Sequence, residues 1–476
     1  MVITKTLNFK NNNTIKKTDV PIVNFEEFTH IISDTHYRIA NLFVHQEEYK
    51  NNLYAILADD INAELYIVNT IVGKEYPSLT LKRPAVHMFE REIYENFGIK
   101  PVGHPFLKPV RKNEGYEFLK SDDTQSHEVA VGPVHAGIIE PGHFRFLCQG
   151  ERVMHLEIQL GWQHRGVEKM LKEKPTIQLA ESICGDTTIG HSLAFARTIE
   201  SLNNIKVSEK AKNIRKIALE MERMAIHIGD LGAIAGDVAY LMGAEVLAVT
   251  RTLVINTMLE ISGSRFGKGL IRIGGVNFDI DNELQEKIKS MLTEVETRTT
   301  KMTKAMFANA TVLSRLENTG TVGTKRAEEI GMVGPAGRAS GLKVDSRIFD
   351  DYENFTPVKS INGDVLSRAY QRLAEIKQSK IMILEILEQL QGELINPEHT
   401  KNYAKNSLAI TFVEGWRGEI CHVAFTDKNG EIEQYKIKDP SFNNWYGLAL
   451  AVRNNQISDF PVCNKSFNLS YCGFDL

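Results

Sequence analysis

Cysteine is scarce in this 476-residue chain and never arranged in pairs. Cys148, Cys184, Cys421, Cys463 and Cys472 are widely scattered, and none forms a C-x-x-C. That excludes a disulfide framework, leaves the chain without the four clustered thiolates of an iron–sulfur site, and fits a reducing compartment. Long apolar runs are absent too: no uninterrupted stretch of about 18 residues occurs, so no membrane span is expected. The N-terminal "MVITKTLNFKNNNTIKK" is basic but lacks the apolar core of a signal peptide. Charge of one sign is not in excess. The 56 basic and 60 acidic residues give a net −4, so bulk charge does not favour nucleic acid or anionic lipid. Several catalytic signatures are missing as well. There is no G-x-G-x-x-G after a strand, so direct NAD binding has no support, and no G-x-S-x-G or H-E-x-x-H. "GSRFGKG" has the wrong spacing for a phosphate loop.

What is present suffices for two or three domains, with 42% hydrophobic residues. Residues 1–19 read as a tail and 20–107 as a small α+β unit. In the latter, "LYAILADD" and "AELYIVNTIV" alternate like strands, and "RPAVHMFEREIYENFGI" reads as a helix closed by Gly98. A Pro-rich, charged linker is expected over 108–128. Residues 129–476 form a second unit that is mainly α-helical, with antiparallel β segments near its start and its C-terminus. A helical pattern is expected in the stretch 209–242 behind an N-cap at Ser208, with further long helices over 282–315 and 364–394. A Lys-Asn-Gly turn in "CHVAFTDKNGEIEQYKIKD" marks a hairpin.

The chemistry-bearing residues cluster beside glycine, in "GWQHRGVEKML", "ESICGDTTIGH", "ALEMERMAIHIGDLGAIAGD", "GMVGPAGRASGLKVDSR", "EGWRGEICH" and "DFPVCNKSFNLSYCGFDL". Read singly, most have plain structural explanations. Cys184 suits a buried apolar position, His191 and His227 suit satisfied helix histidines, Glu222–Arg223 suits an ion pair or interhelical clamp, and Arg338 suits a loop brace. Asp237, on an otherwise apolar helix, is the least comfortable, because a buried carboxylate is costly unless paired.

In this order the six motifs resemble nickel-iron hydrogenase large subunits. The membrane-bound, energy-converting formate hydrogenlyase type is the nearest likeness, together with its relative, the quinone-reducing catalytic subunit of respiratory complex I. Residues 80–107 resemble the small accessory subunit that accompanies that catalytic one in complex I. The resemblance implies an α+β accessory domain fused to a hydrogenase-like domain. It also implies four nickel-ligand positions, of which Cys184 alone keeps its thiol. Thr187, Ser470 and Gly473 replace the others, and Cys472 lies one position off register. Nickel prefers soft thiolate ligands, so no metal site and no bound nickel-iron group are expected.

From the same resemblance, Asp237, Arg338, His191 and Glu168 are the catalytic candidates, and His164, Arg165 and His135 the cofactor-facing ones. Asp237 and Arg338 are expected to act as one charge-balanced unit in a shared cavity. The implied partners are a small iron–sulfur subunit and complex I-like membrane subunits, on the cytoplasmic face of the membrane. Electrons would be coupled to protonation of an acceptor, quinone being one class, and to ion translocation. The alternatives are a non-catalytic scaffold and an active hydrogenase.

Overall fold

The computed structural model describes residues 5–47, 49–134, 140–350, 352, 355–397 and 402–476. In the N-terminal unit four antiparallel strands lie in the order Leu7–Phe9, Glu64–Val72, Lys50–Asp59, Arg38–Glu47. The central strand explains why "LYAILA" is almost continuously apolar. Leu53, Ala55 and Leu57 face one way, into a core shared with the helices Phe25–Asp34 and His87–Phe97. Tyr54, Ile56 and Ala58 face the other way, against a second sheet carrying Leu408, Ile410, Phe412, Val423 and Phe425. A strand covered on both faces has no use for polar alternation. Each such Leu, Ile or Phe contributes about 1.5–3 kcal/mol on burial, so the two sheets hold the units together.

That second sheet has the order Ile432–Lys438, Gly418–Thr426, Ser407–Gly415, Asn13–Lys16, all antiparallel. Residues 5–19 are therefore not simply a tail. Leu7–Phe9 edges the first sheet and Asn13–Lys16 edges the second. The segment has too few residues per strand to show a period of two, so its pattern carries no strand signal.

Between the first-unit helix and the strand His127–Val131, residues 103–126 form no helix or strand, although Val110 and Arg111 are buried. The strands His127–Val131, His143–Gln149 and Arg152–Gln159 form an antiparallel sheet. The helical body centres on Glu209–Asp237, where Ser208 accepts the Ala211 N–H as N-cap. Packed around it are Leu241–Ser262, Val365–Glu388 and Thr188–Asn203. The helix expected over 282–315 is two, Asn282–Phe307 and Ala310–Leu316, with Asn309 capping the second. Leu241–Ser262 is long and apolar enough to cross a membrane, but it packs along Glu209–Asp237 and Asn282–Phe307.

Candidate functional site

Three separate segments meet at Cys184: the turn before the helix Thr188–Asn203, the hairpin turn at Gly415–Gly418, and the C-terminal helix Tyr471–Asp475. The hairpin turn supplies Trp416 and Arg417. Trp416 Nε1 donates to the Asp186 carbonyl at 2.8 Å, which fixes the Cys184 turn against the sheet. The Arg417 guanidinium lies over the Trp416 ring and donates to both Asp186 carboxylate oxygens at 2.6 and 2.8 Å. Its Nη1 also reaches Thr187 Oγ1 at 3.2 Å and Cys184 Sγ at 3.3 Å, and its Nε donates to the Asn468 carbonyl. Ser470 caps the last helix by accepting the Gly473 N–H at 2.8 Å. The same Oγ lies 3.1 Å from Cys184 Sγ and 3.4 Å from Cys472 Sγ.

The four aligned positions thus come together in space, but their donors do not suit a tetrathiolate metal centre. Thr187 and Ser470 offer hydroxyls. At Gly473 an added Cβ would lie 2.6 Å from the Asp439 carboxylate, so that carboxylate fills the space a ligand side chain would need. A guanidinium 3.3 Å from the one retained sulfur puts a fixed positive charge where a cation would sit.

Asp439 opens a second arrangement. It N-caps the helix Pro440–Val452 by accepting the Ser441 N–H, and its other oxygen accepts from His191 Nε2 at 3.1 Å. His191 Nδ1 is 3.2 Å from His422 Nε2, and His422 Nδ1 is 2.9 Å from the Tyr435 hydroxyl. All four side chains are buried. A carboxylate only accepts, so His191 Nε2–H donates to Asp439, while at the His191–His422 and His422–Tyr435 contacts each partner can donate or accept. Burial pushes Asp439 up, but the His191 hydrogen bond and charge, with Arg417, outweigh it and hold the carboxyl below its usual range. His422 is held well below the usual imidazole range by burial and by His191, so it is neutral at pH 7.

On the far side of the hairpin lies a buried ion network. Arg338 donates to Glu375 at 2.9 Å and Glu414 at 2.7 Å and lies 3.1 Å from Asp345. Arg347 pairs with Asp345 and Glu220, Arg223 pairs with Glu220, and His227 Nε2 donates to Glu375 at 3.0 Å. Between the two sides stands Glu222, which accepts the Ile189 and Gly190 N–H groups at the start of Thr188–Asn203. Burial, added to by Asp186, pushes its carboxyl up to about 8 against the pull of those two N–H groups.

The expected residues scatter over these arrangements. Cys184, Thr187, Ser470, Gly473 and His191 converge as described. Arg338 belongs to the ion network, and Asp237 does not join it. Asp237 ends the helix Glu209–Asp237 with an exposed side chain, ten residues and about 15 Å of helix beyond His227. The shared Asp237–Arg338 cavity is thus not formed, because the helix end turns Gly236 and Asp237 to solvent although Val238 beyond them is buried. Glu168 accepts from Lys436 Nζ and the Ile437 N–H, both at 2.9 Å. Lys436 also binds Glu92, which pairs with Arg111, so this cluster clamps the two units together. His164 Nδ1 donates to the Asp475 carbonyl at 2.7 Å, and Arg165 donates to the Ser182 and Ile183 carbonyls beside Cys184. His135 lies outside the described residues.

Sequence reasoning missed Arg417, Asp439, His422 and Tyr435. One signal was available: an Asp-Pro step is a helix start, and it would have placed the Asp439 carboxylate at a buried N-cap. The contact of His422 with His191 spans 231 residues and has no local signature.

Comparison with known proteins agrees with the fold. The family described as respiratory-chain NADH dehydrogenase, 49 Kd subunit, matches residues 237–409, and the 30 Kd subunit of the same enzyme matches residues 23–127. Formate hydrogenlyase subunit 5 of Escherichia coli (strain K12) is 27% identical over 83% of this chain and 76% of its own length. The membrane-bound hydrogenase subunit alpha of Pyrococcus furiosus is 29% identical over 72% of this chain and 85% of its own. A chain in the structure of the membrane-bound sulfane sulfur reductase, an archaeal respiratory membrane complex, superposes with a TM-score of 0.69 at 21% identity. That match covers 75% of this chain and all of the other, a likeness of fold.

Proposed function

In this chain, where the 30 Kd and 49 Kd subunit domains of respiratory-chain NADH dehydrogenase are fused, we propose that the buried relay ending at Asp439 couples electron arrival to protonation of an acceptor. The chain would work as the hydrogenase-like subunit of a complex I-related assembly docked on the cytoplasmic face of a membrane. A small iron–sulfur subunit would deliver the electrons and membrane subunits would move the ions. A quinone is one acceptor class that fits this role, and nickel is not required.

The observation that supports the reading is the unbroken chain of buried hydrogen-bond contacts from Tyr435 through His422 and His191 to Asp439. When Asp439 takes the proton from His191 Nε2, His191 Nδ1 can take one from His422 and His422 Nδ1 one from Tyr435, and a proton must return to Tyr435 before the next turnover, because burial holds that phenol well above its usual range. Each hop exchanges a covalent bond for an existing hydrogen bond, so no side chain need move. The Asp439 carboxylate and the Ser470 hydroxyl both lie against Gly473, which brings this end of the relay beside the two thiols. The thiol pocket is therefore the end of the relay at which an acceptor would be protonated.

Asp439→Asn keeps the volume and removes the ionisable group. In the membrane complex purified with its iron–sulfur partner, it should lower turnover by about 10²-fold or more while assembly is retained. Asp237→Asn should leave turnover intact in the same preparation. Normal turnover of the Asp439→Asn complex would reject the relay. Elemental analysis finding one nickel per chain would reject the nickel-free part of the reading.

A further inference from the structure

Cys184 and Cys472 come from segments 288 residues apart, yet both sulfurs lie against the Ser470 hydroxyl, at 3.1 and 3.4 Å. The Cys184 S–H also points at Asp186 Oδ1, 3.0 Å away, and Arg417 lies 3.3 Å from the same sulfur. The two differ in access: Cys184 is 1% exposed, whereas Cys472 is only partly covered. Among the described residues the other three cysteines are buried apart from this pocket. Cys148 and Cys463 sit in the large apolar core, and Cys421 lies between the two sheets.

We propose that Cys472 and Cys184 form a redox-active dithiol that exchanges with sulfur–sulfur bonds, Cys472 as the attacking thiol and Cys184 as the resolving one. The partly exposed sulfur meets the substrate and the buried one waits behind it, held in reach by the shared hydroxyl.

In the first step the Cys472 thiolate attacks one sulfur of a small disulfide R–S–S–R. That bond breaks, and the R–S⁻ released takes up the proton Cys472 has lost. In the second step the Cys184 sulfur attacks the Cys472 sulfur, and the second R–S⁻ leaves with the proton from Cys184. Two electrons pass from the cysteine sulfurs to the substrate sulfurs, and a dithiol reductant returns two electrons and two protons to reopen the bridge. This inference does not depend on the relay, because its readout needs neither partner nor acceptor.

The test uses the full chain in glutathione buffers of stepped potential, followed by acid trapping, alkylation and peptide mapping without reduction. A Cys184–Cys472 disulfide should appear with a two-electron response, about 30 mV per tenfold change in the thiol/disulfide ratio. Cys148, Cys421 and Cys463 should stay thiols. Cys184→Ala should trap glutathione on Cys472, and Cys472→Ala should leave Cys184 unmodified. Two outcomes would overturn the proposal: both thiols free in fully oxidised glutathione, or a wild-type chain that stops at a Cys472–glutathione adduct. Neither requires the variants to fold, because both are read on the native chain.

Discussion

One hairpin turn, Glu414 to Glu419, feeds two polar regions of opposite character. On one side Glu414 enters the network of Arg223, Arg338 and Arg347 with Glu220, Asp345 and Glu375, all buried. On the other side Arg417 enters a pocket of hydroxyls and thiols with two carboxylates beside it, the buried Asp439 and Asp186, whose side chain is 37% exposed. In the first region four carboxylates meet three guanidinium groups. The surplus charge is absorbed at Glu414, whose carboxyl burial and Asp345 push up to about 7. His227 adds no charge to that balance, since burial holds its imidazole below the usual range. A region so closely balanced resists change, because altering any member strands another in low dielectric. The second region keeps reactive atoms, and one of its sulfurs is partly open. Chemistry is expected in the pocket, and rigidity in the network.

The largest effect should come from breaking the balance. Arg338→Met fills similar volume but leaves Glu375, Glu414 and Asp345 without their shared cation, and should cost about 3–5 kcal/mol. Arg417→Met should cost less, about 1–3 kcal/mol, because water can reach Asp186 once it is released. Urea unfolding of both variants measures the gap. Equal losses would mean that the two regions are not different in kind.

Glu222 stands between the regions and should give a pH signature of intermediate size. Its folded value of about 8 lies above the ordinary 4.5, so between those values the folded chain binds a proton that the unfolded chain does not. The stabilisation is complete below pH 4.5 and is lost as pH rises through 8, by an amount on the order of a few kcal/mol. Glu222→Gln keeps one acceptor for the Ile189 or Gly190 N–H and loses the other, so it should be less stable than the wild type at low pH and should flatten that fall. The measurement is thermal unfolding across pH 5–9, and an unchanged slope in the variant would place the titration elsewhere.

The contrast between the regions also explains what can be read from the chain alone. Helices with one apolar face, such as Glu209–Asp237 with its Ser208 cap, are legible because 3.6-residue periodicity and capping are local. The convergence of residues 184, 187, 470 and 473 is reached by resemblance, since no local pattern joins residues some 280 positions apart. Arg338 stands out in the sequence as special, but its partners do not. A buried arginine demands carboxylates without saying which ones, and Glu375 and Glu414 come from a helix and a strand with no fixed spacing to it. The N-terminal strands escape notice for the opposite reason, since three or four residues cannot display a period.

The smallest effect is expected at Asp237, and it tests the comparison from outside both regions. The apolar residues before it promise a buried carboxylate, and such a group could not be changed without a large response in stability or turnover. The structure puts its exposed side chain on the last residue of the helix, where Ile234 and Ala235 are the final buried positions. Asparagine has nearly the same shape and suits a helix end as well as aspartate does. Removing one exposed negative charge near a helix C-terminus also relieves a mild repulsion with the helix dipole. Asp237→Asn should therefore shift unfolding free energy by no more than about 0.5 kcal/mol, toward stability rather than away from it. A loss of more than about 1 kcal/mol in urea unfolding would mean that the attraction of the carboxylate to Lys465 outweighs its repulsion from the helix end.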